Sequence, residues 1–303
     1  MDSPDTAAFL IETLRTVNVT KMVDTAACSI FLWDYLITIG MEVEYVWTGR
    51  WSTMKVLYLI QRYLPFIDTL WMILHKQFGA NLNSRTCKML TIGSNSCMLV
   101  GLATSESILT LRAWAVWNRN RTLTFVLPVL FAACWIPPIV ILYQFLKSIQ
   151  FGPPPLPQFL GCLTIEANST IIVAWFLLLA WDTIIMVLMI IPALRAYHFR
   201  GHSALYSTVY AEGIMYYIYL FAMALINIIL LRLQSIDVLL RFVVVTMSRI
   251  LHSILPSRAV LHIRARVNRD ANEVDVITAD EDHHPRIPSG IKSRLRGMSY
   301  TAG

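Results

Sequence analysis

Between Phe31 and Trp71 the chain runs through two apolar stretches, FLWDYLITIGMEVEYVW and TMKVLYLIQRYLPFIDTLW, separated only by TGRWS. A connection that short joins two helices as a tight antiparallel hairpin. With their flanks, Thr25 to Trp47 and Thr53 to Leu74, both are long enough to cross a bilayer core, which takes about 20 residues at about 1.5 Å each. Both also carry ionisable groups where lipid would penalise them. Asp34, Arg62 and Asp68 are therefore expected to face other protein or trapped water. The hairpin by itself predicts a helical bundle inside a membrane.

The rest of the sequence agrees. Of 303 residues, 56% are hydrophobic and 15% charged, against about 25% charged in a soluble domain, and the mean hydropathy is +0.57. A water-soluble fold would have too little polar surface, so the class expected is an all-α, multi-pass membrane protein. Seven apolar segments support a seven-helix transmembrane bundle. Beyond the hairpin they are about Lys88 to Trp117, Leu123 to Leu146, Thr170 to Tyr197, Gly213 to Leu231 and Val238 to Leu255. The domain plan is an extracellular N-terminus over 1–24, a transmembrane domain over 25–255, a short amphipathic helix over 256–269 and a disordered basic tail over 270–303. The amphipathic helix rests on Val260, Ile263 and Val267 at helical spacing opposite Arg258, Arg264, Arg266 and Arg269. The start of the chain lacks the basic-then-apolar pattern of a cleaved signal peptide.

The net charge is +6, and Arg258, Arg264, Arg266, Arg269, Arg286, Lys292, Arg294 and Arg296 all lie beyond the last apolar run, which suits an anionic cytoplasmic leaflet rather than nucleic acid. Basic residues at Arg112, Arg119, Arg121, Arg195 and Arg200 join that tail on one side of the membrane. The positive-inside rule then puts the N-terminus outside or lumenal and the C-terminus in the cytoplasm, of the plasma membrane or an endomembrane. The sequons at Asn18 and Asn168 are candidate glycosylation sites on the outer side. Cys87 opens the third span and Cys162 lies in the proline-rich loop before the fifth, so both meet oxidising conditions. Either they form a disulfide that ties the loop over the bundle, or they remain two free thiols.

Buried polar candidates run through the spans: Asp34, Glu42, Arg62, Asp68, Glu106, Asp182, Asn227, Arg249 and His252. An unpaired guanidinium at the depth of Arg62 would be costly, and Glu42 or Glu44 is the expected partner. Asp34 and Asp68 lie at similar depths. They either face each other, as in a proton relay or cation site, or bond neighbouring hydroxyls and backbone. The third span is rich in small residues from Gly93 to Ser107, which lets neighbouring helices approach closely and marks it as central. Pro65, Pro192 and Pro256 are expected to kink or end their helices. No phosphate-cradling glycine loop, nucleophile elbow or metalloprotease helix is present, so no enzyme, metal or cofactor is expected.

The run WDYLITIGMEVEYVWTGRWSTMKVLYLIQRYLPFIDTLW resembles the signature of a fungal membrane-protein family described as domain of unknown function 6533. The matching positions are Asp34-Tyr35-Leu36, Glu44, Trp47, Trp51-Ser52, Lys55 and Arg62-Tyr63-Leu64-Pro65. LRAWAVWNRNR after Glu106 and SRILHSILPSRAVLHIR around His252 extend the likeness. The resemblance implies a membrane protein and brings no activity, ligand or catalytic residue. Three functions follow from the layout. The first is a receptor or sensor of a small-molecule ligand, with lipids around it and a cytosolic partner at its inner loops. The second is a proton- or ion-coupled transporter using Asp34, Asp68, Glu106 and Asp182, and the third is a membrane-embedded enzyme.

Overall fold

A computed structural model describes residues 4–73, 79, 82–151, 162, 164–166, 170–199, 204–232 and 238–283. The apolar segments form α1 (Pro4–Glu42), which runs into a π-helical turn (Val43–Trp47), α2 (Thr53–Ile73), α3 (Ser84–Val116) and α4 (Arg121–Ser148). A small antiparallel ribbon of β1 (Gln150–Phe151) and β2 (Thr164–Glu166) precedes α5 (Ile171–Phe199), α6 (Ala204–Arg232) and α7 (Val238–His283). The protein is all-α apart from that ribbon. Among the described residues, three helical stretches are long and apolar enough to cross a membrane: Val17–Trp47, Arg121–Ser148 and Ile171–Arg195. On α4 only 22% of the apolar window is buried, and Phe125, Val129, Ile136 and Tyr143 point outward. A helix that apolar on its outer face suits lipid, not water. Charged and small polar residues lower the hydropathy of α2, α3 and α7, and Asn168 lies outside the described residues.

The chain divides into two units, residues 1–37 with 51–257 and residues 38–50 with 258–303. In the first, α2 packs on α3, and α5 packs on α4 and α6. Leu109, Trp181, Ile185 and Leu220 form one part of its core, Leu102, Trp135, Trp175 and Ile228 another. A smaller cluster joins Ala27 and Phe31 to Ile250 and Ile254, with Phe66 against it.

In the second unit, Arg264 Nη1 donates to the carbonyl of Tyr45 at 3.0 Å. A π turn disturbs the i to i−4 ladder and leaves a carbonyl in need of an outside donor. Two sequence expectations change here. Residues 256–269 are helical but continuous with α7, and residues 270–283 of the expected disordered tail are helical too, while 284–303 lie outside the described residues. No glycine or proline stands between Ser257 and His284, so nothing local stops propagation before Pro285. The apolar stripe also divides: Val260, Leu261 and Ala265 are buried, while Ile263 and Val267 face outward. At the other end, α1 begins at Pro4 rather than near Thr25.

Pro65, Pro192 and Pro256 sit inside helices, as do Pro128, Pro137 and Pro138 of α4, and each of the first three frees a carbonyl, four residues before it, that a neighbouring residue takes up. Pro256 frees that of His252, and Gln61 Nε2 donates to it from α2. Pro65 frees that of Gln61, and Ser253 Oγ donates to it from α7 at 3.0 Å. Pro192 frees that of Leu188, and the Trp117 indole donates to it from the end of α3 at 2.8 Å. In lipid no water can take these carbonyls, so a neighbouring helix must. Gln61 and Ser253 thus make a reciprocal clasp between α2 and α7.

The clasp predicts a dependence between two substitutions. Ser253→Ala should cost about 1 kcal/mol, a typical hydrogen bond. In a Pro65→Ala background the cost should nearly vanish, because the backbone N–H restored at that position reclaims the Gln61 carbonyl. Thermal melts of the four proteins in lipid nanodiscs measure this, and an equal cost in both backgrounds would refute the clasp.

Candidate functional site

The polar candidates of the first unit join into a ladder that crosses five helices. Its first rung lies between α1 and α2, where Arg62 Nη1 donates to Asp34 Oδ2 at 2.7 Å, with side chains 0% and 3% exposed. The guanidinium carbon also lies 5.2 Å from the ring of Tyr35, a cation–π contact strengthened by burial. Tyr35 in turn meets Phe66 edge to face, with centroids 4.9 Å apart. The carboxylate paired with Arg62 is therefore Asp34, where the sequence suggests Glu42 or Glu44. Asp34 and Arg62 are buried together on facing helices, so the guanidinium meets a carboxylate without snorkelling. Glu42 belongs to the second unit, where its carboxylate accepts from the Trp47 indole at 3.1 Å.

One helical stretch further along α2, Asp68 Oδ2 accepts from Arg249 Nε of α7 at 3.0 Å and lies 2.9 Å from Nη2 as an ion pair. Asp34 and Asp68 thus each have an arginine of their own. Arg249 has room because α3 offers Gly101 to it. A Cβ built on Gly101 would overlap the guanidinium. The small residues of α3 make space for an ion pair here, beyond letting backbones approach.

The third rung leaves α7 at His252, three residues after Arg249 on the same face. Its Nδ1 lies 3.2 Å from Glu106 Oε1 and 3.5 Å from Ser105 Oγ, with the ring fully buried. The Asp182 carboxyl of α5 is buried close enough to Glu106 for the two to interact electrostatically, and among the described residues both Glu106 oxygens and Asp182 Oδ2 lack a hydrogen-bond donor. On α6, Asn227 is buried, and neither amide atom has a hydrogen-bond partner among the described residues. Tyr217 on the same helix donates to the carbonyl of Leu109 at 3.2 Å. Among the described residues no group of three His, Cys, Asp or Glu has the geometry to hold a metal ion.

Gln61, Ser105, Ser253, Asp24 and Lys55 are buried polar residues that sequence reading passes over. Spacing alone could find Gln61, four residues before Pro65, because a proline-freed carbonyl always needs a donor.

A cleft opens between α3, α4 and α5, with α7 at its back. Its wall includes Asn95, Leu102, Trp135, Trp175, Leu178 and Val245, and its empty volume is about 730 Å³ including the mouth. Asn95, whose Nδ2 donates to the carbonyl of Thr91 at 2.8 Å, is a polar residue in a wall otherwise almost wholly apolar. Leu102, Leu178 and Val245 stand four residues before Glu106, Asp182 and Arg249. On three helices at once the cleft is stacked about one turn, roughly 5.4 Å, from the ladder. At the end of the bundle where α3 starts, Cys87 is bridged to Cys162, with Cα atoms 5.8 Å apart.

The sequence profile of a family of unknown function (DUF6533) matches residues 22–67. The chain thus carries a DUF6533 segment in its N-terminal part. No curated protein matches it. The DUF6533 segment holds Asp34, Arg62, Gln61 and Pro65, so it contains the first rung whole and the α2 side of the clasp. It stops one residue before Asp68, and every other member of the ladder lies outside it. The DUF6533 hairpin is thus joined to α7 by the clasp and by the Asp68–Arg249 pair, and α7 to α3 by the Glu106–His252 contact.

Proposed function

We propose that this protein is a seven-span membrane receptor or sensor for a small apolar ligand, acting by binding rather than catalysis. Its N-terminus lies outside or lumenal and its C-terminus in the cytoplasm, where the basic inner ends meet lipid headgroups and a cytosolic partner. The seven-span reading draws on charge pairing. α2, α3 and α7 carry the ions that lower their hydropathy, and burying those ions against one another removes most of the penalty for placing them in lipid.

The observation that carries the receptor reading is the cleft stacked on the ladder. Pockets that bind small molecules are concave, mostly apolar and aromatic, with few polar groups. A ligand against Leu102, Leu178 and Val245 would bear on the same three helices that hold Glu106, Asp182 and Arg249. Differential contact of that kind is what a ligand needs to bias two states.

The test is extraction in native lipid followed by mass spectrometry of co-purifying small molecules, wild type beside the cleft-filling variant Leu178→Trp. An apolar species held by wild type and depleted from a folded Leu178→Trp supports the reading. Identical small-molecule content in both overturns it. A proton- or ion-coupled transporter is the second reading, favoured by Glu106 and Asp182, which have no arginine between them. It requires pH-driven uptake into liposomes that is lost in Asp182→Asn.

A further inference from the structure

Two of the four buried carboxyls of the ladder, Asp34 and Asp68, are neutralised by Arg62 and Arg249. Glu106 and Asp182 meet each other instead, and the basic group at that meeting is the imidazole of His252. Two carboxyl groups close together away from water have no donor between them unless one carries a proton. His252 has a second feature that points to proton exchange. Its ring is fully buried, and Nε2 has no hydrogen-bond partner among the described residues.

We propose that Glu106 and Asp182 hold one proton between them and that His252 can accept it, which makes this centre a proton-binding switch at the hinge of α7. In the transfer, the O–H bond of Glu106 breaks and an N–H bond forms at His252 Nδ1. A carboxylate then faces an imidazolium with no change in net charge. The step needs no co-reactant and holds whether the protein signals or transports.

The surroundings decide how the switch is read. From α3 the centre is faced by Ser105 and Glu106, from α5 by Asp182 and from α7 by Arg249, whose charge is held by Asp68 of α2. From α6, Tyr217 lies near Glu106 with its hydroxyl committed to the Leu109 carbonyl. From α2 the neighbour is Gln61, uncharged, bonded to the backbone carbonyl of His252 itself. That carbonyl is the one freed by Pro256. The ring that takes the proton and the carbonyl at the weakest point of the α7 ladder therefore belong to one residue. A new ion pair at the ring pulls on the point where α7 can bend most easily.

The experiment uses full-length protein in lipid nanodiscs, without any ligand, so its result does not depend on the cleft. Infrared spectra in H2O and D2O should show the carbonyl stretch of a protonated carboxyl at neutral pH. The band should disappear in the double variant Glu106→Gln/Asp182→Asn and persist in His252→Gln, where the proton has no acceptor. Uptake of a further proton from the medium leaves His252 charged while Glu106 or Asp182 keeps a proton, so spin labels on α2 and α7 should change separation as the pH is lowered in wild type and not in His252→Gln. Absence of the band in wild type, its survival in the double variant, or a label separation that ignores both pH and His252 would overturn the proposal. If the double variant does not fold, Glu106→Gln alone serves the comparison, because its amide donates to Asp182 as the protonated acid does.

Discussion

Arg62→Leu should lower the folded yield sharply and destabilise what remains by about 3 kcal/mol or more, the usual loss when one partner of a buried ion pair is removed. The substitution leaves the Asp34 carboxylate buried opposite a methyl group, where it keeps the desolvation cost and loses its closest cation. It also strips the cation from the face of Tyr35. The effect belongs to the orphaned acid rather than to the net worth of the pair. Replacing both partners, Asp34→Leu with Arg62→Met, should recover more than half of the loss, since apolar side chains of similar volume substitute well for a buried pair. Monodisperse yield by size exclusion and melting temperature in nanodiscs measure all three proteins. Wild-type yield and stability in Arg62→Leu would show that the guanidinium reaches the membrane surface and that the rung is not held.

Gly101→Ala should destabilise by about 2 kcal/mol, although alanine favours a helix over glycine by about 1 kcal/mol. The sign turns on Arg249. Its guanidinium fills the space a Cβ at position 101 would enter, and it is buried, hydrogen-bonded through Nε and ion-paired with Asp68. A free arginine tip would swing aside at little cost. This one must give up part of its pair or push α3 away. In an Arg249→Ala background the obstacle is gone, so Gly101→Ala should become neutral or stabilising. A reversal of sign between the two backgrounds is the expected result in melts of the four proteins. The same sign in both would mean that Gly101 serves helix packing alone.

Individual residues show how far the sequence can be read. Asp34, Arg62, Asp68, Glu106, Asp182 and Asn227 stand out within apolar runs, so the need to hide them is local information. Their partners are another matter. Glu42 looks the natural mate for Arg62 because it lies along the same hairpin, yet the guanidinium meets Asp34. Asp68 finds Arg249 and Glu106 finds His252 at sequence separations that no spacing rule covers. Pro65 and Pro256 are legible as interruptions. What is not legible is that each interruption supplies the acceptor for a donor beside the other. The end of α7 is hidden for a different reason: its arginine-rich and acidic stretches have the composition of a tail, while no residue in them forbids a helix.

Residue order is enough to commit this chain to helices suited to lipid. Apolar segments of that length must satisfy their amides internally, and only a helix does so within one segment. Which charge neutralises which, where the prolines find their donors, and that Glu106 and Asp182 are left to share a site are settled only when the helices assemble. Those outcomes depend on how each helix is rotated about its axis and which neighbour it meets. That rotation is set by packing across many helices at once, and no single stretch of residues encodes it.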